Sequence, residues 1–266
     1  MDATDFLDLR RDTLSEWTFV VTEQLATPGR FLFGGCGLAA GIATLEEASG
    51  RPTIWASAQY LSYATLDAEV RVTTELLVEG GHVTQARATA TVDKREILTV
   101  NVALGTGKLE APPPRLMPAV PDPEGCPPLE RPFDVDRSIF RHVDCRLAML
   151  RHDDEVDGPN AKGLPAIWSR IPGHLEPSAA TLAIFGDFVA GGVSQLTGRP
   201  TRGRSLDNTL RMVTLEPTEW VLCEIRMHAL SGGFAQGTAF LWSRSGTLLA
   251  TASQSIAAKL VEPVAP

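Results

Sequence analysis

Two stretches decide how this chain folds. The first is Glu46-Glu47-Ala48-Ser49-Gly50-Arg51-Pro52-Thr53-Ile54-Trp55-Ala56-Ser57-Ala58-Gln59, and the second is Ser194-Gln195-Leu196-Thr197-Gly198-Arg199-Pro200-Thr201-Arg202-Gly203-Arg204-Ser205-Leu206-Asp207. Each runs from the end of an apolar helix through Gly-Arg-Pro-Thr into a strand with serine at the same register, 148 positions apart (Gly50 to Gly198). A further echo follows each: Gly80-Gly81-His82-Val83-Thr84-Gln85 and Gly232-Gly233-Phe234-Ala235-Gln236, both between strand-like runs. A period this long is not that of a solenoid. It marks two copies of one unit in tandem, and function is then sought in the residues the copies do not share.

Outward from the first stretch, residues 34–48 read as a helix carrying Gly34, Gly35, Gly37, Ala39, Ala40, Gly41 and Ala43 between Leu38, Ile42 and Leu45. Each glycine costs a helix roughly 1 kcal/mol against alanine. Such a helix forms only where tertiary contacts enclose it, and its small side chains let a sheet wrap closely. A strand is expected at 17–21, and strands at 53–63, 67–77, 83–92 and 97–104 follow the helix as an antiparallel meander. Residues 105–132 hold nine prolines, which forbid regular structure and suggest a stiff, extended linker. The second half repeats the plan: strands at 140–149 and 166–170 around a polar loop at 152–162, then a helix at 179–196 capped by Ser178. Strands at 205–214, 219–229, 235–242 and 247–257 complete it. The expected class is α+β, with a first unit over 1–108, a linker over 109–133 and a second unit over 134–266.

The chain has 266 residues, 44% of them apolar, and a formal net charge of −8. That is enough apolar content for a core in each half. The acidic balance argues against non-specific nucleic-acid binding, which needs a basic face. No run of about 20 apolar residues suggests a membrane span. Residues 1–11 lack the order of a signal peptide, so the cytoplasm is the expected compartment. Cys36, Cys126, Cys145 and Cys223 have no Cys-x-x-Cys spacing and read as reduced thiols. His142, His152 and His174 show no metal-ligand spacing, and no cofactor motif is present.

One helix embraced by an antiparallel sheet, duplicated in tandem, points to a double hotdog. Four pieces sharpen this: Phe33-Gly34-Gly35 opening the first helix, Leu206-Asp207-Asn208-Thr209, Glu219-Trp220-Val221-Leu222, and Gly246-Thr247-Leu248-Leu249-Ala250-Thr251-Ala252-Ser253-Gln254. In that order they resemble the type II, double-hotdog acyl-CoA thioesterases. The resemblance implies hydrolysis of a fatty acyl-CoA to free acid and CoA, with no cofactor and no metal. It implies Asp207 as general base and Gln254 as water-binding amide. Where the family has Thr or Ser, this chain has His228. Read from the residues alone, Asp207 is equally a strand-end aspartate bonded to backbone, Gln254 an outward polar residue, and His228 a turn-adjacent surface residue. Gly34 and Gly35 offer free N–H groups at a helix start for a developing oxyanion, or simply permit tight packing. Asp187, inside the second helix, reads as a structural hydrogen-bonder near the site. Arg51, Arg199, Arg202, Arg204 and Arg211 suit CoA phosphates, or form a solvated charge cluster. Rival readings are a non-catalytic acyl-CoA or lipid-binding protein and a hotdog enoyl-CoA hydratase. The Asp-x-x-x-x-His pattern of the latter is not found. Further association of double hotdogs into a homo-oligomer is also expected.

Overall fold

Alternation dictates the strands. In Glu69–Glu79 Val70, Val72 and Thr74 are buried while the residues between them are exposed, the period-two signature of a strand with one face on the core. The computed structural model describes residues 2–109, 111, 115–131, 135–149, 166–173, 176–197 and 201–261. The polar loop expected at 152–162, His174 and Arg199 lie outside these residues. Strands of the first half are β1 (Arg10–Arg11), β2 (Glu16–Val20), β3 (Thr53–Tyr60), β4 (Glu69–Glu79), β5 (Val83–Val92) and β6 (Arg95–Gly105). Those of the second are β7 (Asp144–Met149), β8 (Ala166–Arg170), β9 (Thr201–Ser205), β10 (Asp207–Met212), β11 (Val221–Ser231), β12 (Phe234–Ser243) and β13 (Leu248–Leu260).

They form one sheet in the order β1-β2-β4-β5-β6-β3-β10-β13-β12-β11-β8-β7, with β9 paired to β13. Read outward from the β3–β10 junction, β3-β6-β5-β4-β2 matches β10-β13-β12-β11-β8, so the duplication is visible in the topology. The β3–β10 ladder is antiparallel and pairs Asp207 with Gln59. These two residues are also 148 positions apart. A residue that is both the repeat equivalent and the antiparallel partner of another lies on the local two-fold axis, so Gln59 and Asp207 sit where the halves are related.

The helices lie on one face: α1 (Ala3–Leu7), α2 (Gly34–Ser49), α3 (Ala179–Gly186) and α4 (Gly192–Thr197). Most of α2 is buried. A Cβ on Gly37 would stand 2.5 Å from Leu98 Cδ2 and one on Gly41 2.7 Å from Val100 Cγ2. The glycines expected to let the sheet approach are therefore at its points of closest contact.

Two expectations are corrected. The second helix is not continuous over 179–196. Ser178 caps it as expected, accepting the Thr181 N–H at 3.1 Å, but α3 stops at Gly186, a 3-10 turn spans Asp187–Gly191, and α4 follows. A Cβ on Gly192 would meet Met227 Sδ at 2.9 Å, so the break also packs α4 closely on β11. The strand expected at 205–214 is split at Leu206. Ser205 pairs with Ile256 but Thr209 pairs with Ser253, a one-residue slip that is taken up by a bulge. The Pro-rich stretch, expected as a stiff linker, packs on the second half. Residues 117–126 cover the outer face of the second half, where Trp168, Trp220, Leu222 and Trp242 form a second core with Cys126. Trp168 Nε1 donates to the Pro121 carbonyl at 2.9 Å, and Leu129 N–H donates to the Cys145 carbonyl at 2.8 Å along the β7 edge.

Candidate active site

The alternation of β13 aims Gln254 inward. Ala252, Gln254 and Ile256 are buried, whereas Ser253 and Ser255 are half-buried. On β10, Asn208 and Leu210 face the same interior. The break after α3 turns Asp187, itself 7% exposed, into that space. Its Oδ2 accepts the Gly35 N–H at 2.8 Å, from the start of α2. Its Oδ1 accepts from Asn208 Nδ2 at 3.4 Å and from Gln254 Nε2. Elements of both halves thus converge on one carboxylate. Burial pushes its pKa up to about 7, and the donors from Gly35, Gln254 and Asn208 oppose that rise.

Tyr60, the last residue of β3, completes the cluster. A Cβ on Gly34 would stand 2.9 Å from Tyr60 Oη and 3.0 Å from Asp187 Oδ2. Only glycine leaves the phenol and the carboxylate this close to the helix start. Burial, and then the charge of Asp187, raise the Tyr60 phenol well above its ordinary value. Burial raises the adjacent Cys36 thiol in the same way. Tyr60 Oη, Asn208 Oδ1 and Gln254 Oε1 are buried and have no hydrogen-bond partner among the described residues. Asn208 is near enough to Tyr60 to favour its ionised form, but without the geometry of a bond.

Asp207 occupies the bulge. Its Oδ1 accepts the Ser255 N–H at 2.7 Å, the backbone donor that the register slip frees from the ladder. Leu206 bridges the halves beside it: its N–H donates to the Ser255 carbonyl at 2.8 Å and its carbonyl accepts the Tyr60 N–H at 3.0 Å. His228 lies apart. It is exposed at a register irregularity of β11, and its Nε2 is 2.7 Å from Thr238 Oγ1 on the outer face. The structure brings Gly34, Gly35 and Gln254 together around Asp187, sets Asp207 at the adjoining bulge, and leaves His228 outside the cluster.

Tyr60 and Asn208 were not singled out in the sequence, yet a signal existed. They are repeat equivalents, 148 positions apart, and each stands next to a residue of the axial Gln59–Asp207 pair. Of the arginines, Arg51 donates to the Gly80 carbonyl at 2.8 Å and so braces the β4–β5 turn. Arg202 and Arg204 are exposed on β9, and Arg204 Nη1 donates to Tyr63 Oη at 3.1 Å. Among the described residues no group of three or more His, Cys, Asp or Glu side chains is arranged to hold a metal, and no helix is long and apolar enough to cross a membrane.

This architecture, a duplicated helix-in-sheet unit with a buried carboxylate–amide cluster at the junction, defines a double-hotdog protein of the thioesterase type. The family model for the acyl-CoA thioesterase C-terminal domain matches residues 123–258, and the chain belongs to that family. A structure from Novosphingobium aromaticivorans, described as a candidate thioesterase, is 32% identical, with 96% of this chain and 98% of that one covered and a TM-score of 0.84. An acyl-CoA thioesterase II from Mycobacterium marinum shares the fold at 18% identity, with 98% and 99% of the chains covered and a TM-score of 0.77. A hotdog-fold protein from Alicyclobacillus acidocaldarius does so at 19% identity, with 98% of both chains covered and a TM-score of 0.83. No curated protein matches the sequence.

Proposed function

We propose that the protein hydrolyses a fatty acyl-CoA to the free acid and CoA, with water held by Gln254 and activated by Asp207. The observation carrying this reading is the orientation of the Gln254 amide. Its nitrogen is committed to Asp187, so its buried oxygen, without a protein partner, is left to accept a hydrogen from water. Asp207 is fixed through Oδ1 by the Ser255 N–H, and its second oxygen serves to take a proton from that water. The water oxygen then adds to the thioester carbon, whose oxygen lies over the Gly34–Gly35 helix start. The C–S bond breaks and CoA leaves as a thiolate. Thiols have a reference pKa of about 8.5, so no strong general acid is required. Arg202 and Arg204, three to five residues before Asp207, suit the phosphates of CoA. The rings of Phe33, Phe140 and Phe188, whose centroids lie 5.8–6.2 Å apart, offer an apolar wall beside the site for the acyl group.

The test is CoA release, read with a thiol reagent across short to long acyl-CoAs, for the wild type and Asp207→Asn. Loss of the base should lower kcat by about 100- to 10,000-fold. Full turnover by the variant sinks the role of Asp207. Acyl-CoA that binds tightly to the wild type without release would identify a binding protein instead.

A further inference from the structure

We infer that Tyr60 Oη donates the hydrogen bond that stabilises the thioester oxygen as it becomes an oxyanion, in place of the Gly35 amide. The inference rests on the thioesterase reading above and adds a catalytic residue from the first half of the chain. A helix start is the obvious donor for such an oxygen, but here the Gly35 N–H is committed to Asp187 Oδ2 at 2.8 Å. A substrate oxygen at that amide has to displace a carboxylate. The phenol next to it carries no such commitment. Tyr60 Oη is buried and unpartnered among the described residues, and it packs directly against Gly34 at the helix start, where a Cβ would come within 2.9 Å of it.

A buried hydroxyl without a partner is costly in a protein that has no use for it. Its place between Gly34, Asp187 and Asn208 puts it where the thioester is proposed to lie. The phenol also has the right protonation for a donor. Burial and the Asp187 charge favour its neutral form and outweigh the opposing Asn208 amide, so it keeps its proton over the range in which the enzyme would act. The duplication supports the assignment. The repeat equivalent of Tyr60 is Asn208, whose amide nitrogen is turned to Asp187. The two copies have thus diverged at one position, an amide that braces the carboxylate and a phenol that is left free.

The experiment is steady-state hydrolysis by wild type, Tyr60→Phe, Gly34→Ala and the Tyr60→Phe/Gly34→Ala double variant, with folding followed by circular dichroism. Tyr60→Phe removes only an unpartnered hydroxyl, so the fold should persist while kcat falls about 100-fold with KM nearly unchanged. Gly34→Ala crowds the phenol and should also lower kcat, and the double variant should lose less than the sum of the two single losses, because the two changes meet at the phenol. A kcat within about threefold of wild type in Tyr60→Phe overturns the inference. If Tyr60→Phe does not fold, Tyr60→His takes its place: a kcat within about threefold of wild type overturns the inference, and a fall of about 100-fold with KM nearly unchanged supports it. Absence of CoA release by the wild type from every acyl-CoA overturns the thioesterase reading and this inference with it. A fall in Asp207→Asn without one in Tyr60→Phe removes only Tyr60.

Discussion

Asp187 is pulled in two directions. Burial favours its neutral form, while the donors from Gly35, Asn208 and Gln254 all suit a carboxylate. With a folded pKa of about 7 against an ordinary 3.8, the fold prefers the protonated group. That contribution to stability is complete below the ordinary carboxylate range and is lost as pH rises through 7. Asp187→Asn removes the titration. Relative to wild type, the variant should therefore gain stability between pH 5 and pH 8, by at most about 3 kcal/mol, measured by urea unfolding at the two values. Its activity should fall, because the Gln254 amide loses the charge that orients it. In the wild type kcat should rise with an apparent pKa near 7, and that rise should be absent in Asp187→Asn. A variant with unaltered pH–rate and pH–stability profiles would show that Asp187 does not titrate there.

At the scale of elements, α2 decides how closely the first half closes. Its glycines cost the isolated helix stability, and contact with the sheet offsets this: Gly41 stands against Val100, and Gly37 against Leu98. Gly41→Val should overpack this contact and destabilise the protein by about 1–3 kcal/mol, seen as a lower urea midpoint with an unchanged slope. A neutral result would mean that β6 yields without cost. The glycine-rich pattern made α2 and its surroundings legible in the sequence. The break after Gly186 was not legible, because residues 179–186 are almost wholly apolar and buried on every side. No periodicity marks where such a helix must turn to fit Ala252 and Met227. The split at Leu206 escaped for a similar reason: a one-residue slip is a property of the ladder with β13, not of β10 and its flanks.

Across the whole molecule, the Pro-rich stretch acts as a strap. Arg115 pairs with the buried Glu224 at 2.5 Å, and Glu224 also binds Arg226 and Trp242 Nε1. The Arg115 guanidinium lies 4.3 Å over the Phe240 ring. Arg115→Ala should cost about 1–3 kcal/mol, less than a fully broken buried pair, because Glu224 keeps its other partners. It should also speed proteolysis within residues 115–125, and an unchanged cleavage rate would show that the strap does not depend on Arg115, its other anchors being the Trp168–Pro121 bond and the Arg244–Glu124 pair.

The sequence by itself determined the duplication and the helix that a sheet must wrap, and it nominated Asp207, Gln254 and Gly34–Gly35 as candidates, because these are periodic or short-range patterns. Only the tertiary structure decided which of them meet. Gln254 turns its amide nitrogen to Asp187 because β13 packs across a broken helix. Asp207 takes a backbone N–H because of a register slip. His228 leaves the cluster because its irregular strand position faces outward. Tyr60 enters because the β3–β10 junction lays one half's strand end against the other's. Contacts between residues some 150 positions apart have no local signature, and they arise only when the two copies close on their shared axis.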